Sequence, residues 1–557
     1  MIEDNSVTKK KVSPKVSLLA LSTMGPEDDQ AYRYVEFYSK NRKKSVRRLF
    51  AATDIADKRL MRNKLIQEGL RLDLSPEDWD EIHKVLCGNT QTRVRLCHRP
   101  GFAGRTYLTA NGEILGKSED HGPLPYPDSA AFLYDEQKKG NLEDWQIKVA
   151  PLALCSSRLI LALASAFSGP CISFTEVESG GFHFHASSSK GKSTLMLMAA
   201  SVFGNSKFVK KWNMTDAAFE EAAEARNHSV FLLDELKLLH KNPGEAAMMA
   251  QNRIYTLGSG EGKQRHSGYQ KAVLRWQLVM LSTGEFSLGQ NANAGNLSQL
   301  DGERVRVVDV PADAGRGQGI FDKIKKNETP RQTAEQIQRQ TDLYHGTAGP
   351  AFISKLLEKG KEVVKQRLME NIELFMTSHN ITGGEGITVR MAKRFALAYA
   401  SIVLAVEYDI LPFKEEDIMK GISRCYHDAC DPLVMSGPDF SDDFKAAILD
   451  PALPNLNVCK DHTKNEIDGI DGKGGYPIIM TEMKGNEIYA VSRGYFERHI
   501  EGGEPLLSGM LSILREEKIL LTDSEGKSTR QVPYGIHKLA RRYCLNVRKL
   551  KAWLKHA

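Results

Sequence analysis

The chain has 557 residues, enough for about three or four domains of common size. Hydrophobic residues make up 41% and charged residues 26%, the balance of a folded globular protein rather than a disordered one. A formal net charge of +6, from 76 Lys+Arg against 70 Asp+Glu, is too mild to establish a nucleic-acid partner, and 8 cysteines without a CxxC pair exclude a disulfide framework.

Residues 1–30 are polar and lack the charged-then-apolar pattern of a signal peptide. The most apolar runs, within 159–168 and 395–406, fall short of the ~20 residues a bilayer span needs. A cytoplasmic protein with no membrane partner is expected. Residues 1–92 are expected to form a helical N-terminal region, because Arg47, Arg48 and Lys58 alternate with Leu49, Phe50, Ile55 and Leu60 at helical spacing. Residues 93–150 lead into the next domain through a β-hairpin built from the β-prone runs 92–97 and 106–109, punctuated by glycines. From 151 to 345 strand and helix alternate, which predicts a mainly parallel α/β core. Residues 346–435 read as helical, 436–485 as an Asp-, Pro- and Gly-rich linker, and 486–557 as short mixed elements ending in a basic helix.

The core carries the main motif, Ala186-Ser187-Ser188-Ser189-Lys190-Gly191-Lys192-Ser193, between an apolar strand (181–185) and a helix that begins at Thr194. Strand, loop and helix in that order are what a phosphate-binding loop requires. Backbone N–H groups and the helix N-terminus bind phosphate oxygens. Lys192 is expected to reach the β- and γ-phosphates of ATP, and Ser193 to place its hydroxyl on Mg²⁺. Ala186 stands where the first glycine is usual, and alanine resists positive φ, so a slightly different turn is expected there.

Downstream, Ser229-Val-Phe-Leu-Leu-Asp234-Glu235 reads as a buried strand with two carboxylates at its C-terminal edge. Asp234 is expected to hold the metal and Glu235 to act as general base on water. Between the motifs lie a helix (192–203), a short strand (207–212) and a helix (215–226) with Thr215 as N-cap. A strand over 276–281, ending in Ser282 and Thr283, is expected between the two motif strands, with either residue contacting the γ-phosphate. A fifth strand is expected over 305–310, preceded by Arg304, which is either a surface arginine or a finger reaching a neighbouring subunit's ATP. The glycine-rich stretch 257–271 looks like a hairpin presenting Lys263, Arg265 and Lys271, suited to a phosphate backbone; its plain alternative is a solvated loop.

From 527 to 555 nine Lys or Arg occur with no Asp or Glu, among them Arg541, Arg542, Arg548 and Lys549. That is either a DNA footprint, on a winged-helix module with a hairpin near Glu525–Gly526, or a solvated basic helix. The stretch Arg42–Arg48 is a weaker candidate of the same kind.

Together the segments Gly181–Ser193, Ala200–Gly204, Leu233–Glu235, Gly260–Arg265, Leu281–Glu285, Arg306–Asp313 and Arg390–Ala396 resemble the domain-of-unknown-function 927 family. The resemblance covers about residues 90–430. It implies an AAA+-type P-loop core with a parallel sheet and a helical lid; with the readings of the flanking regions, the expected fold class is α/β, with a mixed α/β N-terminal region and a winged-helix C-terminal domain. It further implies a ring-forming helicase of a mobile genetic element, a hexamer using ATP and Mg²⁺ on single-stranded or forked DNA. It makes Arg304 the finger, with Arg306 second, and places Arg390 or Arg394 on the lid as a second sensor of nucleotide. A nucleotide-switched DNA-binding or loading factor without unwinding stays open, as does, more weakly, a small-molecule phosphotransferase.

Overall fold

The computed structural model describes residues 16–554 except 25–27, 29, 118–121, 128, 130, 134, 264–272, 296, 382–385, 431–439, 441, 450–457, 460–477, 484, 501–506, 508–509, 512–513, 516, 524–525 and 534–538. Its centre is a five-stranded parallel sheet. In spatial order the strands are Lys210–Lys211, Val230–Asp234, Val279–Gly284, Gly180–His185 and Val307–Pro311. The strand after Leu278 therefore lies between the two motif strands, as the sequence order predicts.

The four longer strands are largely buried on both faces, and side chains alternate between two cores. Phe182, Phe184, Leu232, Leu281, Val308 and Val310 face one side, against the apolar helix Ser157–Cys171 and the long helix Ile387–Glu407. Phe231, Leu233, Met280 and Val307 face the other, with Trp212, Phe219 and Leu257. The helix Asp216–Glu224 starts where Thr215 accepts a hydrogen bond from the Ala218 N–H, the expected cap. Residues 157–174 form the one stretch among the described residues long and apolar enough to cross a membrane, and 89% of it is buried inside the protein.

Helices Ala348–Lys359, Lys361–Ser378, Ile387–Glu407 and Glu415–Ala429 follow the sheet. The last is tied to the core by Arg158, a fully buried guanidinium that donates to Asp428, to the Pro311 and Asp313 carbonyls and to Ser157.

Three regions differ from expectation. Residues 16–22, 32–39 and 44–51 are antiparallel strands, and helices begin only at Ala52. Val46 and Phe50 are both buried; four residues apart, they fit one face of a helix and one face of a strand equally well. The expected hairpin does not form, because Arg93–Cys97 pairs in parallel with Val16–Ser22 and Pro123–Pro125, while Thr106–Leu108 pairs with Gly101–Ala103 and Ile114–Gly116. Residues 301–306 form a short helix, and the fifth strand starts at Val307.

At the C-terminal end the described residues build a five-stranded sheet, with Asn486–Ser492 flanked by Ile478–Met483 and Leu539–Asn546, and a closing helix Val547–Leu554. Arg541 and Arg542 lie on a strand of that sheet rather than on the predicted basic helix.

Candidate nucleotide-phosphate site

The strand Gly180–His185 ends in the loop, and the helix Lys192–Ala200 begins from Gly191. Left-handed backbone falls at Ser189 (φ 65°) and Gly191 (φ 95°), not at Ala186, so the alanine methyl is tolerated. A Cβ at Gly191 would also lie 2.9 Å from Ile320. No side chain caps the helix, so its first N–H groups are available to an anion. The Lys192 ammonium turns back onto the Ala186 and Ser187 carbonyls, at 2.5 and 2.9 Å. Burial lowers its pKa, against the opposing charges of Glu285, Asp234 and Glu235.

Asp234 ends the neighbouring-but-one strand and is buried, while Glu235 is exposed and held in the left-handed region at φ 60°. Thr283 joins them: its hydroxyl donates to Asp234 Oδ1 at 2.5 Å and accepts from the Glu235 N–H at 3.2 Å. Ser282 points to the other face. There it accepts from Trp212 Nε1 at 3.0 Å and donates to His183 Nδ1 at 2.9 Å, leaving His183 Nε2 to donate to the Phe286 carbonyl. This direction is assigned from the network, since the indole is a donor only. Of the two expected sensor residues, only Thr283 therefore lines the site; strand alternation turns Ser282 inward.

Two further groups complete the centre: Lys211, which no motif flagged, and Glu285, which closes the Leu281–Glu285 segment. Lys211, on the short edge strand, places its ammonium 2.7 Å from Asp234 Oδ2 and 2.9 Å from Glu235 Oε2. Burial works against its charge, but the two carboxylates prevail and raise its pKa. Glu285 accepts from Ser188 and Lys237, and the Lys237 hydrogen bond chiefly holds its carboxyl below the usual value. A divalent cation fits this donor set: Asp234 and the Ser193 hydroxyl supply hard oxygens, and the carboxylate pair already bridges one positive charge. Loop, carboxylates and Thr283 line one cleft of about 860 Å³.

Several other expected site residues lie elsewhere. Arg394 is buried and donates to the carbonyls of Val305, Glu178 and Ser179, and Arg390 pairs with Glu178 at 3.2 Å. Both contacts are at the start of the strand whose far end carries the phosphate loop. The expected second-sensor position is therefore not at this chain's own loop. Burial pushes the Arg394 pKa down to about 10. Arg304 and Arg306 occupy the last turn of the helix Asp301–Arg306, at the same far edge; Arg306 donates to the Gly302 carbonyl and covers the Tyr255 ring at 5.0 Å. Lys263 pairs with Asp216 at 2.9 Å, where two limbs meet through the Glu261–Arg275 bridge. Arg265 and Lys271 lie outside the described residues. Arg542 is buried against the Ala490 carbonyl and presents no surface for DNA, whereas Arg541, Arg548 and Lys549 are exposed.

A loop-and-helix anion cradle beside a carboxylate pair on a parallel sheet is compatible with a nucleotide-binding α/β core. Residues 10–272 match the family model described as Domain of unknown function (DUF927). The fold is similar to that of a solved structure named "SCCmec type IV Cch - active helicase", at 16% identity and a TM-score of 0.54, over 97% of this chain and 94% of that one. No curated protein matches the chain in sequence.

Proposed function

We propose that this chain is an ATP-driven DNA helicase or translocase of the AAA+ type, encoded by a mobile genetic element and working in the cytoplasm as a ring, a hexamer, with ATP sites between subunits. The observation that carries the reading is the convergence of Lys192, Asp234, Glu235 and Thr283 on one cleft at the C-terminal edge of a parallel sheet. Ligands bind at that edge in open α/β sheets. The fold shared with a protein named an active helicase adds support.

In this reading Lys192 leaves its own loop carbonyls for the β- and γ-phosphates of ATP. Ser193 and Asp234 hold Mg²⁺, which supplies charge neutralisation on the phosphates. Glu235 accepts a proton from the attacking water, and its exposed, left-handed position leaves the carboxylate open to the cleft. Thr283 fixes the orientation of the Asp234 carboxylate and anchors the Glu235 backbone. Arg304, with Arg306 as second candidate, serves the site of an adjacent subunit. The exposed cations Lys263, Arg541, Arg548 and Lys549, with Arg265 and Lys271, provide the electrostatic contact to single-stranded or forked DNA.

The test is a fork-unwinding assay paired with mass measurement, with and without ATP. Strand displacement by an ATP-dependent assembly supports the proposal. DNA binding with no displacement at any ATP concentration replaces it with a nucleotide-switched loading factor.

A further inference from the structure

We propose that residues 313–321 and the start of the helix Pro330–Leu343 form a nucleobase subsite that selects adenine through the side-chain amide of Gln318. This rests on the nucleotide-hydrolysis reading above and extends it from the phosphates to the base. The cleft continues past the phosphate loop to Gln318, Phe321, Pro330, Arg331 and Ala334. A triphosphate seated on Gly191, Lys192 and Ser193 leaves this remainder as the space for its nucleoside.

The strap is built to hold a fixed position beside that loop. Ala314 N–H donates to the Gly319 carbonyl at 2.8 Å, closing it on itself. Ile320 N–H donates to the Lys190 carbonyl at 3.0 Å, and the Lys190 ammonium pairs with Asp313 at 2.9 Å. Gly317 and Gly319 are left-handed, at φ 71° and 63°, and a Cβ on Gly319 would come within 2.6 Å of the Lys190 carbonyl. Gln318 is thereby held between two glycines on a strap bonded to the phosphate loop itself. A shift of the strap must shift the loop.

The chemistry of the wall fits a flat heterocycle. Phe321, Pro330 and Ala334 are apolar. Arg331, in the first turn of the helix, is held at its outer side by Glu335 at 2.7 Å, and a guanidinium stacks well on an aromatic face. Gln318 Oε1 is buried with no hydrogen-bond partner, a costly arrangement that a ligand N–H would relieve. Gln318 lines the cleft, and rotation of its side chain would present the amide oxygen and nitrogen to a base seated there. A glutamine amide pairs bidentately with adenine, accepting from the 6-amino group and donating to N7. Guanine and hypoxanthine present an oxygen at position 6, which would face the amide oxygen.

The experiment is competition binding of ATP, ITP and inorganic tripolyphosphate to the full chain with Mg²⁺, for wild type, Gln318→Ala and the volume-matched Gln318→Met. Wild type is expected to prefer ATP over ITP by about tenfold or more. In both variants that ratio should fall to about one, with ITP affinity retained. Equal binding of ATP and ITP by wild type, or a ratio that survives both substitutions, overturns the base subsite and leaves the phosphate site standing. Uniform loss of all three ligands in both variants also overturns it, since selection would then not reside in the amide. Failure of wild type to bind any of the three overturns the nucleotide reading and this subsite together.

Discussion

Lys211 Nζ lies 2.7 Å from Asp234 Oδ2, so the carboxylate read as the metal ligand is already engaged by a cation of the protein's own. The same ammonium reaches Glu235 at 2.9 Å. Mg²⁺ and Lys211 therefore compete for Asp234. Lys211 is half exposed, and such pairs contribute only about 0–1 kcal/mol. Lys211→Met should thus lower the Mg²⁺ concentration for half-maximal ATP turnover by about two- to fivefold. A Mg²⁺ titration checks this, and an unchanged or higher requirement would refute the competition.

Neighbouring hydroxyls on one strand should behave in opposite ways. Thr283 bonds Asp234 and the Glu235 N–H, whereas Ser282 sits in the Trp212–His183 network on the other face. Thr283→Val should cut turnover by about tenfold or more while ATP still binds, because the Asp234 carboxylate and the Glu235 backbone lose their common anchor. Ser282→Ala should leave turnover near wild type per folded molecule but lower stability by about 1–3 kcal/mol, since it orphans buried polar groups. Paired ATPase and thermal-unfolding measurements separate the two; the reverse pattern would show that the strand's facing is misassigned.

The phosphate loop, the acidic pair and the parallel core were legible because each is a local run whose residues also do the chemistry. Four apolar residues before Asp234 mark a buried strand, and Gly191-Lys192-Ser193 marks a helix start. Lys211 was not legible: a lysine in a two-residue edge strand has no pattern, and only the pairing of Lys211 with Asp234 across strands brings it to the site. The strap over 313–321 reads as an ordinary glycine-rich loop until its bonds to Lys190 are seen. Arg304 was placed beside a strand because Val305, Val307 and Val310 are β-prone, yet the turn from Asp301 to Arg306 is helical, with Glu303 accepting from the Leu300 N–H. Arg390 and Arg394 lie on the helix Ile387–Glu407, where the resemblance puts a second sensor, but a local motif does not say which edge of the sheet that helix meets.

Acid should destabilise the core through two strand histidines. Burial lowers His183 to about 4 and His185 to about 3, from an ordinary 6.5. The unfolded chain takes up protons below about 6.5, while the folded chain resists until its own lower values are reached. Stability is therefore complete above 6.5, falls as pH drops through the window from 6.5 to about 4 for His183 and to about 3 for His185, and levels off below. Each histidine should cost about 2 kcal/mol by about pH 5. His185, whose Nε2 is buried without a partner, is the simpler to replace. His185→Phe should flatten the decline of Tm between about pH 7 and 5, and an equally steep decline would move the cause elsewhere.

Arg304 offers the sharpest test of shared sites. It precedes the strand Val307–Pro311, whose first residue pairs with Gly181 and whose last pairs with His185, next to the phosphate loop. Arg304 thus stands about 15 Å, a strand's length, from its own chain's phosphates. Any arginine acting at that range must act on another subunit. Arg304→Ala should retain ATP binding and lose turnover by about 10³-fold, and Lys192→Ala should lose both. Neither variant can then hydrolyse ATP alone. Mixed in equal amounts and allowed to assemble, they create interfaces with an intact Lys192 on one side and an intact Arg304 on the other, about a quarter of the total. ATPase activity should return to a comparable fraction of wild type. A mixture as inactive as its components would assign Arg304 to packing at the sheet's far edge and leave the ring without a finger at this position.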